Sequence, residues 1–261
     1  MAEKPVGQIV QEARAALAQA EQALRRAIAA LPDGPERGRL IQEHWSIGQM
    51  LGRHRRYFSQ AGQDEFLDRV VFKGRRGGIF VEIGAYDGVT GSNTLFFEMF
   101  RGWSGLLVEA SPTYHAEVLR NRDIPCLHVA VAPEVGEAEF LDIRKGYQQM
   151  GGLTASLGPT ARRAIEADPR TEAALIRVPT RPLAEILAGQ GLSQVDYLSI
   201  DIEGGELPVL AAFPFAQFDI AAWSIEVNEA TPEIARIMGA ADYRLAAHIG
   251  VDQIWVRDRA G

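Results

Sequence analysis

Over residues 6–31 the apolar positions recur at every seventh place, with Val10, Leu17, Leu24 and Leu31 on one track and Ala13, Ala20 and Ala27 on another. That beat predicts an amphipathic helix whose small residues allow close approach of another helix. Leu31-Pro-Asp-Gly-Pro35 ends it, and a second helix over about 36–51 is expected to fold back as a hairpin. This arm has two readings, a cap on the rest of the chain or a contact between copies in a homo-oligomer.

From residue 79 the pattern changes to short continuous apolar runs alternating with amphipathic stretches, as in a buried parallel sheet with crossover helices. Strands are expected at 79–83, 105–109, 126–131, 195–200, 221–227, 242–247 and 251–256. Helices are expected near 64–73, 92–100, 112–120, 159–167, 182–188, 205–211 and 231–238. The last two strands are too close for a crossover helix and must form an antiparallel hairpin. An acidic strand pair around 137–143 and a glycine-rich loop over 146–157 interrupt the alternation, and long loops at an active edge often act as lids. The expected fold is α/β, a seven-stranded, mostly parallel sheet with an antiparallel last strand. It occupies residues 53–261, after a helical arm over 1–52.

With 261 residues, 47% of them hydrophobic, the chain can bury one large core. A formal net charge of −7 disfavours nucleic acid as the main partner, because neutralising phosphates calls for a basic field. No run approaches the roughly 18 apolar residues of a membrane span, and Met-Ala-Glu-Lys-Pro opens the chain without a signal-like apolar core. Cytoplasm is the expected compartment and a small molecule the expected partner. The single cysteine, Cys126, lies in an apolar run and reads as packing. Arg53-His-Arg-Arg56 reads either as a solvated surface or as a seat for phosphate or carboxylate. The histidines are not spaced as a zinc site.

Two acidic, glycine-bearing corners carry the candidate chemistry: Phe80-Val-Glu-Ile-Gly84-Ala-Tyr-Asp87-Gly88 and Tyr197-Leu-Ser-Ile-Asp201-Ile-Glu203-Gly204-Gly205-Glu206. Both follow apolar strands, and ligands of open α/β sheets bind outside the carboxyl ends of such strands. Dinucleotide enzymes place Gly-x-Gly-x-x-Gly there to receive a pyrophosphate. Here Glu82 and Asp87 would repel one, which disfavours a nicotinamide dehydrogenase. S-adenosylmethionine has no phosphate, but offers an ammonium and ribose hydroxyls that carboxylates can bind. Glu109 ends the second strand at the place where an acid of this fold takes ribose hydroxyls.

Ser59-Gln-Ala-Gly-Gln-Asp64, the 80–88 corner, Leu107-Val-Glu-Ala-Ser-Pro112, Ser199-Ile-Asp-Ile-Glu-Gly204 and Ser224-Ile-Glu-Val-Asn228 together resemble the FkbM-type methyltransferase family over residues 57–257. The resemblance implies a Rossmann-like class I fold and S-adenosylmethionine-dependent O-methylation of a small hydroxylated acceptor, a glycan, sugar or polyketide-type metabolite. Alternatives are a peptide or protein acceptor and a non-catalytic scaffold. Glu82, Gly84 and Asp87 are expected along the methionine half of the cofactor, Glu109 with Ala110 and Ser111 at the ribose, and His128 and Ala130 at the adenine. Ser111 is equally suited to cap the helix after it. Gln60, Gln63 and Asp64 are placed at the cofactor's mouth by resemblance alone.

Asp201 is expected at the cofactor and as catalytic carboxylate, since methylating an alcohol requires loss of its proton. In one reading Asp201, Glu226 and Asn228 hold a hard cation such as Mg²⁺. In the other, Asp201 and Glu203 position the ligands while Glu226 accepts the acceptor's hydroxyl. Glu203, Thr154, Ser156 and Asn228 are candidate substrate contacts. Glu206 is expected only to suit a helix N-terminus, and Asp252 to close the last hairpin.

Overall fold

The computed structural model describes residues 4–229 and 231–258. Helices α1 (Val6–Ala30) and α2 (Pro35–Met50) form the expected hairpin, with Pro35 opening α2. Helix α2 docks on the sheet edge through Gly38, whose carbonyl accepts from Gly250 N at 3.0 Å. A Cβ on Gly38 would lie 2.6 Å from the Gly250 carbonyl, so only glycine permits this approach. Asp33 and His248 pair at 2.8 Å, and Trp45 donates its indole N–H to the Ser59 carbonyl at 3.1 Å. Helix α1 packs on α2 and leaves Val6, Ile9 and Val10 exposed. Neither helix, nor any other among the described residues, is long and apolar enough to cross a membrane.

Next come α3 (Gln63–Phe66), prolonged by a π-helical turn over 67–71, then β1 (Ile79–Ile83), β2 (Ser104–Glu109), α4 (Pro112–Asn121) and β3 (Cys126–His128). They are followed by β4 (Ala130–Val131), β5 (Gly136–Lys145), β6 (Gly152–Leu153), α5 (Pro159–Ala167), β7 (Glu172–Arg181) and α6 (Leu183–Gly189). The chain continues through β8 (Gln194–Ile200), α7 (Glu206–Ala212), β9 (Asp219–Glu226), α8 (Pro232–Ala240), β10 (Tyr243–Ile249) and β11 (Asp252–Arg257). Seven strands form one sheet in the order β10-β11-β9-β8-β1-β2-β3. All the pairs from β9 to β3 are parallel, and β11 runs antiparallel to both β9 and β10. The fold is the Rossmann-like α/β arrangement expected from the alternation.

Strand parity divides the core. Val81, Ile83, Leu198, Ile200, Trp223 and Ile225 pack on one face, whereas Phe80, Leu107, Tyr197 and Ala222 pack on the other. Cys126 joins the second cluster, and burial pushes its thiol up to about 12, so it is an unreactive packing group as expected.

Three expectations change. The strand expected at 126–131 is two pieces, because after His128 the chain leaves the main sheet and Ala130–Val131 joins a second sheet of order β4-β7-β5-β6. The pair expected around 137–143 is one long strand, β5, whose antiparallel partner is β7, a segment not anticipated as a strand. Alanines and charges in Glu172-Ala-Ala-Leu-Ile-Arg-Val-Pro-Thr-Arg181 hide its alternation, and Val178 and Thr180 are its buried positions. The helix expected over 92–100 begins later and ends in a π-helical turn over Phe97–Arg101. Ser92, Asn93 and Thr94 do not enter it because they turn their donors to the buried carboxylate of Glu82.

Candidate active site

The two glycine corners meet, as their place after parallel strands requires. Gly84 has φ +82°, and a Cβ there would fall 1.8 Å from the Asp201 carbonyl oxygen. Any side chain would drive the corners after β1 and β8 apart. Asp201 N donates to the Ile83 carbonyl at 3.1 Å, while Gly84 N donates to Val108 at 2.9 Å. Outside these strand ends lies a cavity of about 480 Å³. Its side toward β2 and β4 is lined by Glu109, Ala110, Val129, Ala130 and Val131, and the segment 146–153 with Ser156 also lines it.

Glu109 is buried and accepts from Tyr86 N at 2.8 Å and from Ser111 N at 2.7 Å, one on each carboxylate oxygen. Ser111 lines the cavity and also caps α4, accepting from Tyr114 N at 3.3 Å. Its expected capping role is thus present. The Tyr86 and Tyr114 rings meet at a tilt of 45° with centroids 4.4 Å apart, and Tyr86 donates its hydroxyl to Gln148 at 3.3 Å. Burial pushes the Glu109 carboxyl up to about 7.

A glutamate of the unfolded chain titrates near 4.5, so the folded protein binds this proton more tightly than the unfolded one. The cost in stability is therefore absent below about 4.5, grows as pH rises toward 7 and is constant above that. Glu109→Gln removes the titration. In the ligand-free protein, the stability of this variant relative to wild type is expected to rise between these pH values by on the order of 3 kcal/mol. Paired melting curves across pH would check it, and a pH-independent difference would refute it.

At the opposite end, oxygens of Asp201, Glu203 and Glu226 lie within 4.8 Å of one another. Glu203 adopts φ +58° and is followed by Gly204 at φ +101°, a left-handed pair that turns the Glu203 carboxyl toward its neighbours. Such backbone costs about 1 kcal/mol or more for a non-glycine residue. Glu206 secures the bend, accepting from Ile202 N at 2.7 Å and Gly204 N at 3.0 Å. It therefore does more than complement a helix dipole.

Burial raises the Asp201 carboxyl and raises Glu226 well above the carboxylate range, and the charge of Asp201 adds to the effect on Glu226. Burial, then the charge of Asp201, pushes Glu203 up to about 8. The Oε2 of Glu226 is buried and has no hydrogen-bond partner. Asp252 lies opposite Glu226 in the β11–β9 pair and accepts from Gln63 Nε2 at 3.1 Å. Burial raises it to about 7, so a fourth acid adjoins the group.

The structure gathers Gln60, Gly84, Glu109, Ala110, Ser111, Ala130, Asp201, Glu203, Ser156 and Glu226 around the cavity. Other expected residues lie elsewhere. Strand parity puts Glu82 on the Phe80 face, under residues 92–94, where it accepts from Ser92, Asn93 and Thr94. Asp87 is turned back on its own loop, accepting from Val89 N and Thr90 N. Asp64 is buried under Phe58 and Ser59, accepting from both backbones, and Gln63 braces the Ala61 backbone and Asp252. His128 is exposed and stacks on His115 with ring centroids 5.0 Å apart. Thr154 is bonded to the Glu139 carbonyl. Asn228 adjoins the three carboxyls, its amide donating to Glu203 at 3.5 Å, and Glu203 belongs with Asp201 and Glu226.

Tyr86, Tyr114, Asp142 and Gln148 line the cavity without having been singled out. Tyr86 stands inside the first corner motif and was legible there. Asp142 and Gln148 reach the cavity from β5 and from the turn that follows it.

Residues 82–245, well over half of the chain, match the Methyltransferase FkbM domain. Among solved structures, methyltransferase FkbM from Methylobacillus flagellatus KT is similar at 12% identity and a TM-score of 0.43, over 91% of this chain and 58% of that one. The chain thus spans less than two thirds of that protein's length. A SAM-dependent methyltransferase from Aquifex aeolicus is similar at 10% identity and a TM-score of 0.36, over 74% of this chain and 87% of that one. For the CurJ carbon methyltransferase the values are 9% and 0.37, over 95% and 70%. No curated protein matches the chain. The family match runs from the first acidic corner past the second and on into β10, and on that ground the chain belongs to the FkbM methyltransferase domain family.

Proposed function

We propose that the protein moves a methyl group from S-adenosylmethionine to a hydroxyl of a small molecule, with Asp201 as the group that receives the hydroxyl proton. The observation that carries this reading is that carboxyl oxygens of Asp201, Glu203 and Glu226 gather within 4.8 Å of one another at one end of the cavity, with one buried Glu226 oxygen left without a hydrogen-bond partner. A concave cavity of about 480 Å³ favours a small acceptor over a folded protein surface.

The cavity suits the cofactor in size and donor set. Glu109 would take the ribose hydroxyls, Val129, Ala130 and Val131 offer an apolar slot for the base, and Gly84 allows the backbone to come close. The bound cofactor supplies an electrophilic methyl. The chain's part is orientation and proton removal. An alcohol is too weak an acid for a bare aspartate to ionise beforehand, so Asp201 would take the proton as the new bond forms. Glu226 stands beside Asp201 and would help to hold its carboxylate in place. Asp201, Glu203 and Glu226 are also an oxygen set suited to Mg²⁺, which would acidify the hydroxyl. Residues 1–52 would serve as an arm to the transferase domain over 53–261.

Calorimetric titration with S-adenosylhomocysteine, with and without Mg²⁺ and with NAD as control, tests the reading. Saturable binding is expected. Glu109→Ala should weaken it about 100-fold, as losing hydrogen bonds to a charged group at roughly 1.5–3 kcal/mol each implies. Binding of NAD in its place, or of neither, would overturn the proposal.

A further inference from the structure

The surface holds a second cleft, of about 710 Å³, whose cations come from three separate segments: Arg56, then Arg69, Lys73 and Arg76, then Arg101. This concentration runs against the net charge of −7. Two of the five are neutralised within the fold. Arg101 makes a forked pair with Asp68 at 2.6 and 2.8 Å, and Arg69 pairs with Glu65 at 3.1 Å. Arg76 donates to the Phe100 carbonyl at 3.0 Å, which leaves its charge uncompensated. Arg56 and Lys73 are exposed and make no hydrogen bond or ion pair among the described residues.

Neighbouring stretches of the same basic run are used differently. Arg53 pairs with the buried Glu21 at 2.7 Å, and Arg55 donates to the Gly52 carbonyl at 2.9 Å. Arg56 alone is turned to the cleft. A helix dipole accounts for a cation near the end of the helical stretch that precedes Lys73, but not for cations converging on that place from other segments. Lys73 holds φ +51°, a backbone state that suits glycine better than lysine. Arg56, Lys73 and Arg76 line one cleft whose carboxylate, Asp68, is taken by Arg101, so an anion bound between them would offset their mutual repulsion.

We propose that this cleft binds a phosphorylated small molecule through a group bearing two or three negative charges, such as a diphosphate, with Arg56, Lys73 and Arg76 as its charge partners. A diphosphate matches the three uncompensated cations in charge, and a guanidinium fork matches its oxygens. Gln60 lines the main cavity and follows Arg56 by four residues. The two sites are therefore no more than about 14 Å of chain apart.

Calorimetric titration of the full chain with inorganic pyrophosphate tests the assignment, with sulfate as control. One-to-one saturable binding is expected, weakened by added salt. Arg56→Gln and Lys73→Gly should each weaken it about tenfold, the factor that 1.4 kcal/mol of binding energy sets. Lys73→Gly relieves the left-handed backbone, so it removes the charge without endangering the fold. Lys145→Ala, which removes a cation paired with Glu172 elsewhere, should bind as wild type does. Absence of saturable binding, unchanged binding in both cleft variants, or displacement of pyrophosphate by S-adenosylhomocysteine would each overturn the proposal.

Discussion

Asp201→Asn is expected to lower kcat by roughly 10²–10⁴-fold, the usual contribution of a positioned general base. Binding of S-adenosylhomocysteine should stay close to wild type. Asparagine keeps the shape of the side chain and its place beside Glu226, but cannot take a proton. The backbone of residue 201 continues to donate to Ile83, so the corner against Gly84 survives. Loss of turnover without loss of cofactor binding separates a proton acceptor from a residue that merely shapes the cavity. Normal turnover in Asp201→Asn would sink the proposed role. A hydroxylated acceptor must be in hand for this measurement, which is why the cofactor titration comes before it.

The second large effect concerns stability. Arg122→Ala is expected to destabilise the fold by about 3–5 kcal/mol, because removing one member of a buried ion pair leaves an uncompensated charge. The Arg122 side chain is fully buried. It pairs with Glu98 at 2.5 Å, lies 3.7 Å from Glu82 and donates to the Gly88 carbonyl at 2.8 Å. Its guanidinium also stands 5.7 Å from the Phe80 ring centroid. Cutting it back would leave the Glu98 carboxylate without this partner and loosen the Gly88 end of the first corner. Arg120→Ala is the control, since that side chain is exposed and pairs with Glu117 one turn away. Such pairs contribute about 0.5 kcal/mol or less. Denaturant melts of both variants decide the matter: equal losses would mean that Arg122 is not the brace the geometry makes it.

Much of the architecture was legible because its signals are local. Continuous apolar runs mark the buried strands of the main sheet, and the short His248-Ile-Gly250 link forces the antiparallel end. Proline and glycine at 32–35 mark the break between α1 and α2. Strand β7 was not legible, since half of its residues face solvent and its alternation is faint. The break after His128 was also hidden. Nothing in Cys-Leu-His-Val-Ala-Val says that its last residues pair with a strand some fifty positions on.

The candidate site divides in the same way. Gly84, Glu109, Asp201 and Glu226 could be picked out because each ends an apolar strand, and strand ends of a parallel sheet face one crevice. Glu82 shows where that reasoning stops. It belongs to the same motif as Gly84, yet the pleat alternates sides and the donors of Ser92, Asn93 and Thr94 claim it. Asp64, Gln63 and Asp87 fared alike, each bound into a nearby turn or brace. A motif names which residues sit at a corner, but not which of them turns inward.

The sequence by itself determined the class of fold, the antiparallel last hairpin, the acidic strand ends and the resemblance that the family match bears out, because periodicity, turn chemistry and strand order are properties of neighbouring residues. Only the tertiary structure decided that Glu203 joins Asp201 and Glu226, and that segment 146–153 lines the cavity. Only the structure also turned Arg56 away from its basic neighbours toward Lys73 and Arg76. Those outcomes depend on which side chains from distant segments meet, and on which donors satisfy a buried carboxylate first. Such competitions are settled by packing and desolvation in three dimensions and leave no mark in local spacing.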